Sequence, residues 1–168
     1  MAKPFRVPAS MGAPDPVHCT ETDLLLKAES LAAASLAGKL PTPLRGRNIG
    51  ILCGAGNTAA ALFASAASEL GAHVVRIPIT LTDRSSLTVI RGTAVLLSRL
   101  YDAVECLDMS PLLVELMQES ADVPLFFGLS SDEHWTGALA TRMSHVAGPQ
   151  SAARRHVLQA ALVHALPC

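Results

Sequence analysis

The stretch ILCGAGNTAAALFASAASELGAHVV, residues 51–75, limits this chain more than any other feature. An apolar run ends at Gly54-Ala55-Gly56, an alanine-rich helical pattern follows, and a second apolar run begins after Gly71. That order is strand, tight loop, helix, strand. It commits this part of the chain to a parallel β-α-β unit, because parallel strands need a crossover.

The flanking segments extend the alternation. Thr20 or Thr22 can cap a helix reaching about Leu36, with Leu24, Leu25, Ala28, Leu31 and Ala32 on one face. Strands are expected at Asn48–Cys53, His73–Ile77, Ala103–Cys106 and within VPLFFGL, residues 123–129. Helices are expected at Thr58–Leu70, with Gly71 after it, and at Leu87–Leu100. A further helix opens on Ser110-Pro111, and two more lie near Trp135–Val146 and Ser151–Leu166, separated by Gly148-Pro149. The expectation is an α/β fold: a single three-layer domain with a four-stranded parallel sheet flanked by helices. Residues 1–20 hold four prolines and no apolar period, and read as a flexible N-terminal arm ahead of a domain spanning 21–168.

Composition narrows function by exclusion. The chain has 168 residues, enough for one sizeable core, and a net charge of -1, which gives no reason to invoke nucleic acid or an anionic membrane. Four cysteines stand singly at 19, 53, 106 and 168. With no signal-peptide pattern they predict a reducing, cytoplasmic setting. Half of the residues are hydrophobic and 16% charged. Such a surface is expected to be covered in part by other subunits. No spacing of metal ligands is present, and no metal or cofactor is expected.

Residues 54–59, GAGNTA, fit G-x-G-x-x-A between a strand and a helix, the dinucleotide pattern. The second strand carries Arg76 but no acidic residue for a ribose, so a nucleotide-binding role stays open beside a purely structural tight turn.

A third reading comes from resemblance. LRGRNIGIL, ASELGAHVV, RGTAVLLSRLYDAVE and LVELMQESADVPLFFGLSSDEHWTGALA follow one another as in the carbamoyl-phosphate half of ornithine and aspartate carbamoyltransferases. SRLYDAVE is similar to the family's S-R-M-Y-D-A-I-E, and ADVPLFFGLSSDEHWTG to its V-P-V-x-N-G-L-[ST]-x-x-x-H-P-T-Q. The resemblance runs from about Thr22 to the end and is closest to the ornithine enzymes. QSAARRHVLQAALVHAL, within 150–168, resembles the family's C-terminal helix. This implies that the amino-acid domain is missing between two retained helices, and that Val157, Leu158, Ala161, Leu162, Ala165 and Leu166 cover a groove of the first domain.

The resemblance also assigns a site. The family's phosphate loop, Ser-Thr-Arg-Thr-Arg, falls on Gly56, Asn57, Thr58, Ala59 and Ala60, and a further family arginine falls on Leu107. The candidate anion-binding residues are Gly54, Gly56, Asn57, Thr58, Arg84 and Thr136, and His134 takes the place of the family's catalytic histidine. Asn57 and Thr58 can equally be helix caps, and His134 a plain loop residue. Trp135 can fill the emptied pocket, Arg99 and Asp102 can form structural pairs, and His145, His156 and His164 read as exposed or interface positions. The implied protein is carbamoyltransferase-like and inactive by itself, a homotrimer by family habit, acting as a scaffold, regulator or binder of a small anion. The alternative is a carbamoyltransferase subunit completed by another chain that supplies an amino-acid domain.

Overall fold

A computed structural model describes residues 17, 19–147 and 149–166. The elements in chain order are α1 (Glu21–Leu36), β1 (Asn48–Cys53), α2 (Thr58–Glu69), β2 (His73–Pro78), α3 (Leu87–Leu100), β3 (Ala103–Cys106), α4 (Pro111–Gln118), β4 (Leu125–Phe127), α5 (Thr136–Ala147) and α6 (Gln150–Ala165). Each expected strand and helix is present, with ends shifted by a residue or two. Thr20 caps α1 by accepting from the Asp23 N–H, and Ser110 caps α4 ahead of Pro111.

All four strands run parallel, in the order β2-β1-β3-β4. β1 and β3 are central and buried on both faces, which is why they read as near-continuous apolar runs. Alternation along them separates two cores. Ile49, Ile51, Cys53 and Ala103 face the layer that contains α1, α2, α5 and α6. Leu52, Val104 and Cys106 face α3 and α4. Arg47 holds the base of the sheet: its guanidinium is 2.9 Å from Asp102, whose other oxygen accepts the Asn48 N–H at 2.8 Å. Burial pushes the Asp102 carboxyl up, but the Asn48 N–H and Arg47 outweigh it and hold it low.

α6 is not a helix with one apolar stripe. It is enclosed by α1, α2 and α5, and Ala153, Val157, Leu158, Ala160, Ala161 and Leu162 are fully buried. His156, expected to be exposed or at an interface, is buried as well. Its Nδ1 meets Gln159 Oε1 at 2.9 Å, and the Gln159 amide donates to Glu69 at 2.8 Å and to the Ala66 carbonyl. The polar side of the helix thus faces partners on α2 instead of water. The side chain of His145 lies outside the described residues, and His164 is exposed. Of the expected arm, only Val17, Cys19 and Thr20 are described, and Val17 is buried in the first core, so that residue is no loose segment.

One close approach tests the sheet. A Cβ on Gly50 would lie 2.9 Å from Ile77 Cδ1 and 3.3 Å from the Tyr101 ring. Gly50→Ala is expected to destabilise by about 1–3 kcal/mol through overpacking, read as a lowered urea midpoint at unchanged slope.

Candidate functional site

In the strand order the chain reverses direction between β1 and β3, so a crevice opens where their carboxyl ends part. Parallel α/β sheets bind ligands at such points. The β1–α2 loop supplies one wall. Gly56 has φ +80, which favours glycine, and Asn57 caps α2 by accepting the Ala60 N–H at 3.0 Å. Thr58 is the first residue of the helix. The loop therefore aims N–H groups and the positive end of α2 at the crevice, as an oxyanion cradle does.

That cradle already holds an anion belonging to the chain. Asp108, just past β3, accepts at Oδ2 from the Gly54 N–H at 3.0 Å and from the Asn57 amide at 2.8 Å. Asp108 has φ +56, a left-handed conformation that asparagine and aspartate tolerate better than most residues. A Cβ on Gly54 would sit 3.2 Å from the same oxygen, so the first glycine is what lets the carboxylate approach. Leu107, where the resemblance places an arginine, is buried in the core and offers nothing to the crevice.

The other expected site residues sit on neighbouring loops at the same end of the sheet. Arg84 lies exposed in the β2–α3 loop, where its N–H donates to Thr82 Oγ1. A hydrogen bond from the Ser110 hydroxyl to Asp83 ties this loop to the start of α4. His134 stands in the β4–α5 loop. Its Nδ1 is 2.9 Å from Thr136 Oγ1 and 3.3 Å from the Thr136 backbone nitrogen, which fixes the ring against the start of α5. The Trp135 ring tilts against the imidazole at a centroid distance of 5.7 Å and packs on the first core.

Thr136, expected to bind an anion, is fully buried and engaged elsewhere. Its Oγ1 accepts from Arg154 at 2.8 Å, and the same guanidinium donates to the Leu129 and Ser131 carbonyls, each at 2.8 Å. α6 thereby reaches across to fix the loop that carries His134. Beneath it lies Glu105 of β3, fully buried, with Oε1 accepting from the Ser130 N–H and hydroxyl at 3.0 and 2.9 Å. Burial pushes the Glu105 carboxyl up to about 8, against the opposing pull of Ser130, the Leu129 N–H and Arg154. Burial also holds Cys106, the next residue, as an unreactive thiol, and the Glu105 charge adds to this.

The raised carboxyl fixes a pH slope. Folded Glu105 keeps its proton to about pH 8, whereas an unfolded glutamate loses it near 4.3. Between those values the folded state binds more protons, so stability falls as pH rises across that window and levels off above it. Urea unfolding from pH 5 to 9 is expected to show this decline, several kcal/mol at most, and Glu105→Gln is expected to flatten it.

Asp108, Glu105 and Arg154 escape a reading by motif. Asp108 meets residues more than 50 positions away, with no local pattern to announce it. Glu105 did carry a signal, as the one charge inside the apolar strand AVEC, whereas Arg154 stands beside Arg155 in a helix of mixed polarity. Among the described residues no cluster of three or more His, Cys, Asp or Glu is gathered as a metal site would need, and no helix is long and apolar enough to cross a membrane.

The parallel four-stranded sheet with helices on both faces is an α/β fold that matches solved carbamoyltransferase structures. The chain is a homologue of ornithine carbamoyltransferases over part of their length. It is 34% identical over 118 residues to an ornithine carbamoyltransferase of Actinobacillus pleuropneumoniae, which covers 70% of this chain and 35% of that protein. It is 31% identical over 142 residues to one of Haemophilus influenzae, which covers 80% of this chain and 42% of that protein. The chain thus spans well under half the length of these curated relatives. Among solved structures, the Pyrococcus furiosus ornithine carbamoyltransferase matches 79% of this chain and 45% of its own, with a TM-score of 0.64 and 25% identity. The Trypanosoma cruzi aspartate transcarbamoylase matches with a TM-score of 0.60 over 79% of this chain and 44% of its own; at 20% identity it shows the fold alone. No protein-family model matches the chain.

Proposed function

We propose that this is a carbamoyltransferase-like domain that has given up carbamoyl-phosphate binding and does not transfer a carbamoyl group by itself. One observation carries the reading: the Asp108 carboxylate takes the Gly54 N–H and the Asn57 amide, the donors an incoming phosphate would use. A phosphate would have to displace it and then lie beside it. Two like unit charges 4 Å apart cost about 1 kcal/mol in bulk water and ~4 kcal/mol near a protein surface. Asp108 is exposed, so the lower figure applies. The arginines expected from the resemblance are replaced by Thr58, Ala60 and Leu107, each absence forfeiting roughly 1.5–3 kcal/mol of charge-assisted hydrogen bonding. Purified protein given carbamoyl phosphate with ornithine or aspartate is expected to form neither citrulline nor carbamoyl aspartate. Turnover that His134→Ala abolishes would overturn the reading in favour of a subunit whose clamp comes from Arg84 or from a partner chain.

The remaining role we infer is assembly, as an oligomeric scaffold that serves regulation or the binding of a small anion. α3 leaves Leu87, Val89, Leu96 and Leu100 half exposed or more. Beside them an apolar hollow of about 340 Å³ lies between α3 and the edge strand β2, lined in part by Ile77, Ile79 and Tyr101. Such a patch on a chain with few charges supports a homo-oligomer, and the resemblance supports a trimer. Light scattering is expected to give three times the 17.5 kDa chain mass. A monomer at all concentrations would contradict this. The direct joining of α5 and α6 through Gly148-Pro149 supports the further reading that no amino-acid domain stands between them.

A further inference from the structure

Two buried side chains have unfinished hydrogen bonding, and neither belongs to the Gly54–Asn57 cradle. Glu105 Oε1 is satisfied by Ser130, but Oε2 has no partner. Arg154, 6% exposed, spends both terminal nitrogens on the β4–α5 loop, while its Nε–H has no partner. One orphan is an acceptor on a carboxyl and the other a donor on a guanidinium, and the two groups act on each other's charge. Buried orphans of this kind are costly, so an arrangement that joins them competes with the one that leaves them apart.

We propose that Glu105 and Arg154 form a two-position latch that sets the β4–α5 loop and, with it, His134. When Glu105 is neutral, Oε1 is satisfied by Ser130 and the guanidinium stays on Leu129 O, Ser131 O and Thr136 Oγ1. When Glu105 is ionised, the Ser130 and Leu129 N–H groups favour its charge, Oε2 is still without a hydrogen bond, and the Arg154 Nε–H is the buried donor left to answer it. Turning toward Oε2 draws the guanidinium off the loop carbonyls and off Thr136. The Thr136 hydroxyl lies against His134 Nδ1, so the imidazole loses that contact and the loop around it resettles. The latch is independent of what the Gly54–Asn57 cradle binds.

The surrounding charges are few. Asp132, in the loop itself, favours the Arg154 charge, and burial disfavours it. Cys106, beside Glu105 on β3, stays a neutral thiol. On α6 the neighbouring Arg155 faces Glu69 on α2, with its Nε 3.2 Å from the carboxylate but off the line of a hydrogen bond. Burial of Glu105 brings its change of charge to about pH 8, so both positions are reachable in ordinary buffers.

Trp135 is the only tryptophan and touches His134, so its emission reports the loop. The full chain is titrated from pH 6 to 10, with far-ultraviolet circular dichroism run alongside to confirm that the fold is intact. The expected result is a step in Trp135 emission centred near pH 8 that persists in His134→Gln and vanishes in Glu105→Gln. Ser130→Ala removes a bond that favours the charged form, and is expected to move the step to higher pH. Arg154→Lys cannot hold three acceptors in a fork, and is expected to show the high-pH emission throughout. A step unchanged in both Glu105→Gln and Ser130→Ala overturns the latch, as does flat emission from the wild-type chain.

Discussion

Removal of α6 by truncation after Pro149 is expected to abolish cooperative folding. Val157, Leu158 and Leu162 are fully buried, and burying each such side chain contributes about 1.5–3 kcal/mol. Three of them amount to roughly 4.5–9 kcal/mol, against a total stability of about 5–15 kcal/mol for a typical domain. The loss is larger still, because the truncation bares the apolar faces of α1, α2 and α5 together and removes the Arg154 contacts from the β4–α5 loop. The truncated chain is expected to aggregate, or to keep helical circular dichroism without a sharp melt. The milder change Leu158→Ala is expected to cost about 2–5 kcal/mol and leave a measurable two-state transition. A truncated chain that melts cooperatively at the wild-type temperature would contradict the view that α6 completes the core.

What the sequence made legible follows a physical division. The four strands and six helices announced themselves through local chemistry: the Ser110-Pro111 cap, Gly71 with φ +92 after α2, and the apolar runs of β1 and β3. The Gly54–Thr58 loop was legible for the same reason, as a tight turn between strand and helix. Contacts that join distant segments were not. Asn57 looked like a cap or a ligand and is a cap whose amide also holds Asp108. Thr136 looked like an anion ligand and is buried under Arg154, because α6 returns to the sheet and competes for its hydroxyl. His156 looked exposed or at an interface because helical spacing shows which residues share a face, not how many neighbours enclose the helix. With α1, α2 and α5 around it, α6 has little free face. Asp102 does pair structurally as expected, but with Arg47 across 55 residues.

The second large expected effect concerns the ligand that the resemblance implies. Asp108 takes the Gly54 N–H and the Asn57 amide, and its hold on them can be tested without assuming any activity. Asp108→Gly suits the φ of +56, frees the Gly54 N–H and the Asn57 amide, and is expected to strengthen binding of inorganic phosphate. Its stability should drop by no more than about 2 kcal/mol, since the two lost bonds are exposed. In the wild-type chain the carboxylate stays in place and no arginine on the cradle replaces it. Calorimetric titration of the wild-type protein with carbamoyl phosphate is the most direct measurement. The account predicts binding no tighter than about millimolar, near -4 kcal/mol, and tighter binding in Asp108→Gly. Micromolar binding by the wild-type chain, undiminished relative to Asp108→Gly, would show that the carboxylate does not hold the seat and would contradict the account.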